Sequence, residues 1–257
     1  YLKEGAIVTD TATLKHQVLE WAAQYLPETV SFVGGDPILS PEQSAAVGKG
    51  TEGASATLLK DAQYCLTPSA KAATSAVQVV ADMVTTMGAQ PYFLDAMEHD
   101  GLMAHVDHLP ATLGAALLDT AVAAPSWGGM RRLAGEVFAH TSGALGNDSA
   151  AAASTMLGNA DNLLRVIGHY QERLEGLRQM LEARDEEALK KLLDDLLKER
   201  DRWASDRLKA NWDERTPAEI PTAGSYFGSL FGMGGGFGRR KREEEKDQER
   251  KGKGRGR

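Results

Sequence analysis

The sequence predicts an α/β domain, then an all-α domain, then a disordered tail. Three observations lead to this prediction. Short apolar runs alternate with helical patterns over residues 1–96, as in a parallel sheet covered by helices. Residues 97–215 carry helical patterns alone, and residues 216–257 change to glycine with aromatic residues and then to basic residues.

The elements of the α/β domain follow from the spacing of its apolar residues. Strands are predicted over residues 5–10, 30–35 and 90–94, and helices over residues 14–26 and 71–87. Gly88 directly follows the second helix, at the position where glycine commonly ends a helix. The strand after it would complete the sheet.

Two leucine-rich stripes mark the all-α domain. The first recurs at steps of three and four and comprises Leu163, Ile167, Tyr170, Leu174, Leu177 and Leu181. The second follows Asp185, a good N-cap, and comprises Leu189, Leu192, Leu193, Leu196 and Leu197. We expect both stripes to lie mostly in the core, and the first to need a partner surface.

Composition narrows the classes of protein that fit. The 257 residues carry a net charge of −7 and a single cysteine, which excludes an internal disulfide framework and fits a reducing cytoplasm. That cysteine, Cys65, lies in an apolar run and is expected to be a buried thiol. No apolar stretch approaches the ~20 residues that span a bilayer, so we expect a cytoplasmic protein with no membrane partner.

The tail differs from the acidic body of the chain. Residues 239–257 hold ten lysines and arginines against five acidic residues. Such a tail could bind RNA, anionic lipid or the acidic body, but its low apolar content predicts a solvated, disordered extension. We do not expect nucleic acid as a partner of the rest of the chain.

Residues 98–110 concentrate three of the six histidines, together with two aspartates. Histidine exchanges a proton near neutral pH, so the segment is a candidate active site, although ordinary packed helix residues would also fit. His108 comes nine positions after His99, which places the two on opposite faces of a straight helix. Both can serve one cleft only if the helix bends between them, and Pro110 lies too late to bend it.

A metal site is a second interpretation of this segment. His105 and His108 have helical spacing, and Asp100 and Asp107 are nearby oxygen ligands. The spacing is a weak signal without a third ligand in register, so we predict no metal site.

Five motifs in register give the sequence a family resemblance. They are Asp10-Thr11-Ala12-Thr13-Leu14-Lys15, Gly34-Gly35-Asp36-Pro37, Leu66-Thr67-Pro68, Met87-Gly88-Ala89 and the segment from His99-Asp100 to His108-Leu109-Pro110. They resemble D-x-G-S-x-K, G-G-H-P, L-T-P, L-G-A and H-D…S-H-L-P of the prephenate/arogenate dehydrogenase family. The resemblance extends from about Val8 to Trp203.

The resemblance implies a fold and an activity. The fold would be the C-terminal part of a Rossmann-like nucleotide-binding domain followed by a helical dimerisation domain, in a homodimer. The activity would be oxidative decarboxylation of prephenate or arogenate, with hydride transfer to NAD or NADP. No G-x-G-x-x-G turn follows a strand, so we expect an N-terminally truncated fragment that is itself inactive.

The main departure from the family pattern is Asp36, which stands where the family has the proton-accepting histidine. A carboxylate is ordinarily a weaker base than imidazole by roughly two to three pKa units. We interpret Asp36 as the proton acceptor, assisted by the hydroxyl of Thr13. The alternatives are a different substrate, or a non-catalytic or regulatory dimer that keeps the fold.

Other site residues follow from the resemblance. His99 and His108 match histidines on the substrate side of the family's cleft, while Asp10 and Pro37 are assigned to the cofactor. Arg131 and Arg132 are candidates for holding a substrate carboxylate, because the family's later arginine falls near Gly135.

Overall fold

The computed structural model describes residues 2–46, 50–209 and 212. The strands in this part of the chain are β1 (Ile7–Thr9), β2 (Ser31–Ile38), β3 (Gln63–Pro68) and β4 (Gln90–Phe93). The helices are α1 (His16–Tyr25), α2 (Pro41–Ala46), α3 (Thr74–Thr86), α4 (Ala96–Met103), α5 (Leu109–Ala123), α6 (Trp127–Met130), α7 (Glu136–Gly143), α8 (Ser149–Gly158), α9 (Ala160–Ala183) and α10 (Glu186–Lys209).

The four strands form one sheet in the order β1-β2-β3-β4. The pairs β1–β2 and β3–β4 are parallel, whereas β2 and β3 are antiparallel. The prediction of a wholly parallel sheet was therefore wrong at β3. Parallel neighbours need a crossover connection, which α1 and α3 provide. The described residues of the β2–β3 connection contain only the six-residue α2 and a 3-10 turn over Gly50–Gly53 as helical elements.

The core of the α/β domain lies between the sheet and its helices. Helices α1 and α3 pack against β2, and α4 packs against β3. The residues that fill this core are mostly aliphatic and include Val33, Leu66, Val77, Val80 and Val84. Gly88 ends the α3 segment with φ +84°, as the sequence predicts.

The regular elements in the described residues beyond β4 are all helices, and the segment that joins α4 to α5 is irregular. Between α4 and α5 the chain forms a π-helical turn over Ala104–His108. A π turn bonds residue i to i+5 and so holds more residues per turn than an α-helix. Residues after it are rotated back relative to α4, which supplies the bend that the two histidines require.

The leucine stripes of α9 and α10 differ from the prediction. Leu163 is buried, but Leu174 and Leu181 are 53% and 63% exposed. On α10, Leu196 is 56% exposed, although Asp185 does cap the helix by accepting from the N–H of Ala188. Within the described residues of one chain the stripes are thus only partly covered, although α9 and α10 contact each other.

None of the helices in the described residues is both long enough and apolar enough to cross a membrane. The tail predicted over residues 216–257, including its glycine-aromatic and basic segments, lies outside the described residues.

Gly35 provides a test of packing at the sheet. A Cβ atom there would lie 2.6 Å from the backbone oxygen of Asp10 and 2.7 Å from the Tyr64 ring. We expect Gly35→Ala to lower the free energy of unfolding by about 1–3 kcal/mol in urea denaturation. Gly168→Ala, which has open space on α9, should change it by no more than about 1 kcal/mol, in the stabilising direction. Equal losses in both variants would contradict this view of the packing.

Candidate active site

The site is built around a buried chain of three side chains, Asp36, His99 and Asp100. Asp36 lies on β2, and the other two lie on α4. Nε2 of His99 lies 3.2 Å from Oδ2 of Asp36, and Nδ1 lies 2.9 Å from Oδ1 of Asp100. The three residues are 3%, 1% and 4% exposed. A single imidazole thus bridges two carboxylates out of contact with water.

The bridge fixes the protonation state of His99. Burial on its own would lower the pKa of this imidazole, but the hydrogen bonds to Asp100 and Asp36 outweigh burial and raise the pKa to about 11. His99 is therefore an imidazolium at neutral pH and donates a hydrogen bond from each ring nitrogen.

Asp100 also holds the start of α1. Its two carboxylate oxygens accept from the backbone N–H groups of Lys15 and His16, each at 2.9 Å. Burial opposes ionisation of Asp100, yet the bonds from His99 and from these two N–H groups lower its pKa. A carboxylate of the helical segment thereby satisfies free donors at the first turn of a helix of the α/β domain.

A second ion pair lies beside these three side chains, with its cation buried and its carboxylate half-buried. Lys15 is fully buried, and its Nζ donates to Oδ2 of Asp10 at 2.7 Å and to the backbone oxygen of Gly35. Asp10 also accepts from the N–H groups of Gly35 and Ala12. Both carboxylate oxygens of Asp10 therefore hold the loop that follows β1. No role for Lys15 was predicted from the sequence, although its place in the first motif was the available signal.

His108 lies at the end of the π turn and is 1% exposed. Its Nδ1 lies 3.1 Å from the amide nitrogen of Asn159, whereas its Nε2 has no hydrogen-bond partner in the described part of the chain. Burial lowers the pKa of His108 more than the charges of Asp107 and Asp100 raise it. The π turn therefore gives both histidines buried positions, which a straight helix would not.

The remaining candidates lie in several places. Pro37 follows Asp36 on β2 and is half-buried, while Thr13 is exposed in the loop before α1. Arg131 and Arg132 follow α6 and are exposed. The structure shows no contact from either arginine or from Thr13 to the buried chain among the residues it describes.

The structure separates the two histidines on which the alternative metal interpretation depends. His105 is exposed and bonds the backbone oxygen of Gly101, while His108 is buried, because the π turn separates two residues that an α-helix would align. The described residues contain no cluster of three or more histidine, cysteine, aspartate or glutamate side chains arranged for a metal ion. Cys65 is buried, as the sequence predicts.

Fold and site together define a class of protein: a Rossmann-like nucleotide-binding domain followed by a helical domain, with buried charged groups of both segments in contact. The family is prephenate dehydrogenase, to which this chain belongs. Residues 1–93 match the model for the prephenate dehydrogenase nucleotide-binding domain, and residues 95–195 match that for its dimerization domain.

Individual relatives agree with the family match. The chain is 26% identical to a prephenate dehydrogenase of Bacillus subtilis over 73% of its length, and 28% identical to one of Lactococcus lactis, also over 73%. It spans about half the length of these curated relatives, 50% of each.

Solved structures agree as well. A Synechocystis arogenate dehydrogenase superposes with a TM-score of 0.66 at 25% identity, covering 78% of this chain and 70% of that one. An Aquifex aeolicus prephenate dehydrogenase in complex with hydroxyphenyl propionate and NAD+ superposes with a TM-score of 0.68 at 25% identity. The match covers 77% of this chain and 68% of that one.

The positive charge on His99 can be tested by measuring the free energy of unfolding at several pH values. Its raised pKa stabilises the fold fully below the ordinary histidine value of ~6.5, and this stabilisation is lost progressively as pH rises toward about 11. We expect the free energy of unfolding to fall between pH 7 and 10 by up to about 1.4 kcal/mol per pH unit from this group. His99→Gln should flatten that slope in urea denaturation, whereas His140→Gln, on the exposed face of α7, should not. Parallel slopes for wild type and His99→Gln would show that His99 is not a buried cation.

Proposed function

We propose that this chain provides the substrate-binding and catalytic part of a prephenate or arogenate dehydrogenase, which oxidatively decarboxylates its substrate with hydride transfer to NAD. The observation that carries the proposal is the buried Asp36–His99–Asp100 chain, built from the motifs by which the sequence resembles this family. Family membership and the relatives of both substrate classes support it.

Asp36 is the proposed proton acceptor. Its Oδ2 accepts from His99, while its Oδ1 makes no hydrogen bond within the described residues and is available to a substrate hydroxyl. In the reaction the hydroxyl proton passes to Asp36 as the carbon that bears the hydroxyl gives up its hydride. The C–C bond to the ring carboxylate then breaks, carbon dioxide leaves, and the electron pair moves through the ring onto the ring oxygen. This aromatises the ring, and the oxygen takes the proton back from Asp36. The protein contributes orientation and proton acceptance.

The residues present fit part of a nicotinamide cofactor site. The carboxyl end of β1 carries a buried hydroxyl, on Thr9, that has no hydrogen-bond partner within the described residues. We propose that Asp10, by shaping the loop after β1, and Pro37, beside Asp36, lie against the cofactor. The cofactor when bound would supply the hydride acceptor. The glycine-rich turn that cradles the phosphates in such folds follows none of the strands in the described residues.

The substrate carboxylates need cationic or donor groups. His99 already uses both ring nitrogens within the protein, so its proposed role is to orient Asp36. His108 keeps a free Nε2 for the substrate. We propose that Arg131 or Arg132 holds a carboxylate, since an exposed guanidinium can bond both carboxylate oxygens at once. Thr13 is the proposed second hydrogen-bonding group for the hydroxyl.

We also propose that the domains meet near residue 96 and that the protein is a homodimer. The matches to the two family domains support the boundary, and the second of these domains is described as a dimerization domain. The exposed leucines of α9 support the dimer, because an uncovered apolar stripe along a 24-residue helix is typical of an interface.

Turnover tests the role of Asp36. The protein is expressed from its own gene and incubated with prephenate or arogenate and NAD. Turnover is followed by the absorbance of reduced nicotinamide. Asp36→Asn should lower kcat by about 10²- to 10⁴-fold, because an amide cannot accept the proton. Asp36→His should keep activity and move the acidic limb of the kcat/KM profile to higher pH, because imidazole ordinarily titrates at higher pH than a carboxylate.

Two results would contradict this assignment. Turnover by Asp36→Asn within threefold of wild type would exclude Asp36 as the acceptor. A folded wild-type dimer that binds NAD but oxidises neither substrate would favour the non-catalytic dimer.

The dimer has its own test. Leu174→Glu places a charge within the exposed stripe of α9 and should convert the dimer to a monomer in size-exclusion chromatography with light scattering. Glu172→Gln, exposed on the same helix but outside the stripe, should remain dimeric. A dimeric Leu174→Glu protein would place the interface elsewhere.

A further inference from the structure

Asn159 lies between α8 and α9, is 6% exposed, and contacts both Asp100 and His108. Its Nδ2 donates to the backbone oxygen of Asp100 at 2.7 Å. A carbonyl oxygen only accepts hydrogen bonds, so the amide nitrogen must face it. Oδ1 of Asn159 in turn accepts from Asn162 at 2.9 Å, which agrees with this orientation.

The same amide nitrogen determines where the proton of His108 lies. It is 3.1 Å from Nδ1 of His108. Since Nδ2 of Asn159 is a donor, Nδ1 of His108 must be the acceptor and carries no proton. In a neutral imidazole the proton is then on Nε2.

The Nε2–H group faces a charged and buried environment. It makes no hydrogen bond within the described residues, and its nearest acid is Asp107, whose Oδ2 lies 3.8 Å away, beyond hydrogen-bonding distance. The other charged groups near it are Asp36 on β2 and His99 and Asp100 on α4. A buried N–H group without an acceptor is unfavourable, so a ligand oxygen there would relieve a deficit that the protein leaves open.

We infer that Asn159 is a positioning residue, which holds the proton of His108 on Nε2 so that this N–H donates to a hydroxyl or carboxylate oxygen of the substrate. The inference rests on the proposed function for the identity of that substrate. The position of the proton does not depend on the proposed function, because it follows from the contacts of Asn159 alone.

The first experiment locates the proton in the wild-type protein. Protein labelled with ¹⁵N-histidine is examined by long-range ¹H–¹⁵N correlation, and His108 is assigned by the signal lost in His108→Gln. At pH 7 we expect a neutral ring with the proton on Nε2. A proton on Nδ1, or an imidazolium, would overturn the inference without any variant of Asn159.

The second experiment reverses the donor. The carboxylate of Asn159→Asp can only accept, so Nδ1 of His108 should take up a proton and the pKa of the ring should rise by one unit or more. In the turnover assay kcat/KM should fall by about 10- to 100-fold. Asn162→Ala, which removes the bond to Oδ1 of Asn159 and an exposed bond from Arg165, should keep the tautomer and keep kcat/KM within about twofold. An unchanged tautomer in a folded Asn159→Asp protein would overturn the inference.

The third experiment separates failure of this inference from failure of the proposed function. Hydroxyphenyl propionate is titrated into the labelled wild-type protein with NAD present, and the Nε2–H signal of His108 should shift as the ligand saturates. A protein that shows this shift but no turnover would keep the inference and lose the proposed reaction. Turnover with an unmoved Nε2–H signal would keep the reaction and remove His108 as the donor.

Discussion

The site depends on the hydrogen bonds that Asp100 makes. Its carboxylate binds the first N–H groups of α1 and one ring nitrogen of His99, while the backbone oxygen of the same residue receives the amide of Asn159. Three helices that are far apart in sequence therefore meet at one residue. The positions of Asp36 and His108 relative to each other follow from this junction, because each is bonded to a partner that Asp100 holds.

Burial of several charges in one place is stable only when each charge has partners. Lys15 offsets Asp10, and the His99 cation lies between Asp36 and Asp100. The departure from the family motif at position 36 is informative in this respect. A carboxylate at this position lies against an imidazolium with a pKa of about 11, so the negative charge that the substitution introduces is balanced within the protein.

Local features of the fold could be predicted from the sequence, because they depend on neighbouring residues. Apolar spacing predicted β1, α1, β2, α3 and β4, glycine at position 88 predicted the end of α3, and Asp185 predicted the start of α10. The antiparallel pairing of β3 could not be predicted in this way, because the direction of a strand depends on the path of the β2–β3 connection.

The same distinction between local and long-range features applies to the candidate site. Asp36, His99 and His108 could be identified from motifs, and the need for a bend between the histidines follows from helix geometry. Asn159 could not be identified, because it lies 51 residues beyond the histidine that it bonds and belongs to none of the motifs. The first motif contains both Asp10 and Lys15, but the bond between them and the bond from Lys15 to Gly35 depend on the folded structure and could not be predicted.

The π turn between α4 and α5 makes the number of residues in that segment part of the site. In an uninterrupted α-helix each residue advances the direction of its side chain by about 100°, so the loss or gain of one residue turns everything that follows by that angle. A chain could keep His99, His108 and every neighbouring side chain and still lose their common orientation through a single deletion between them. Length and residue identity are therefore separate conditions in this segment, and comparison of homologues by residue identity alone would detect only one of them.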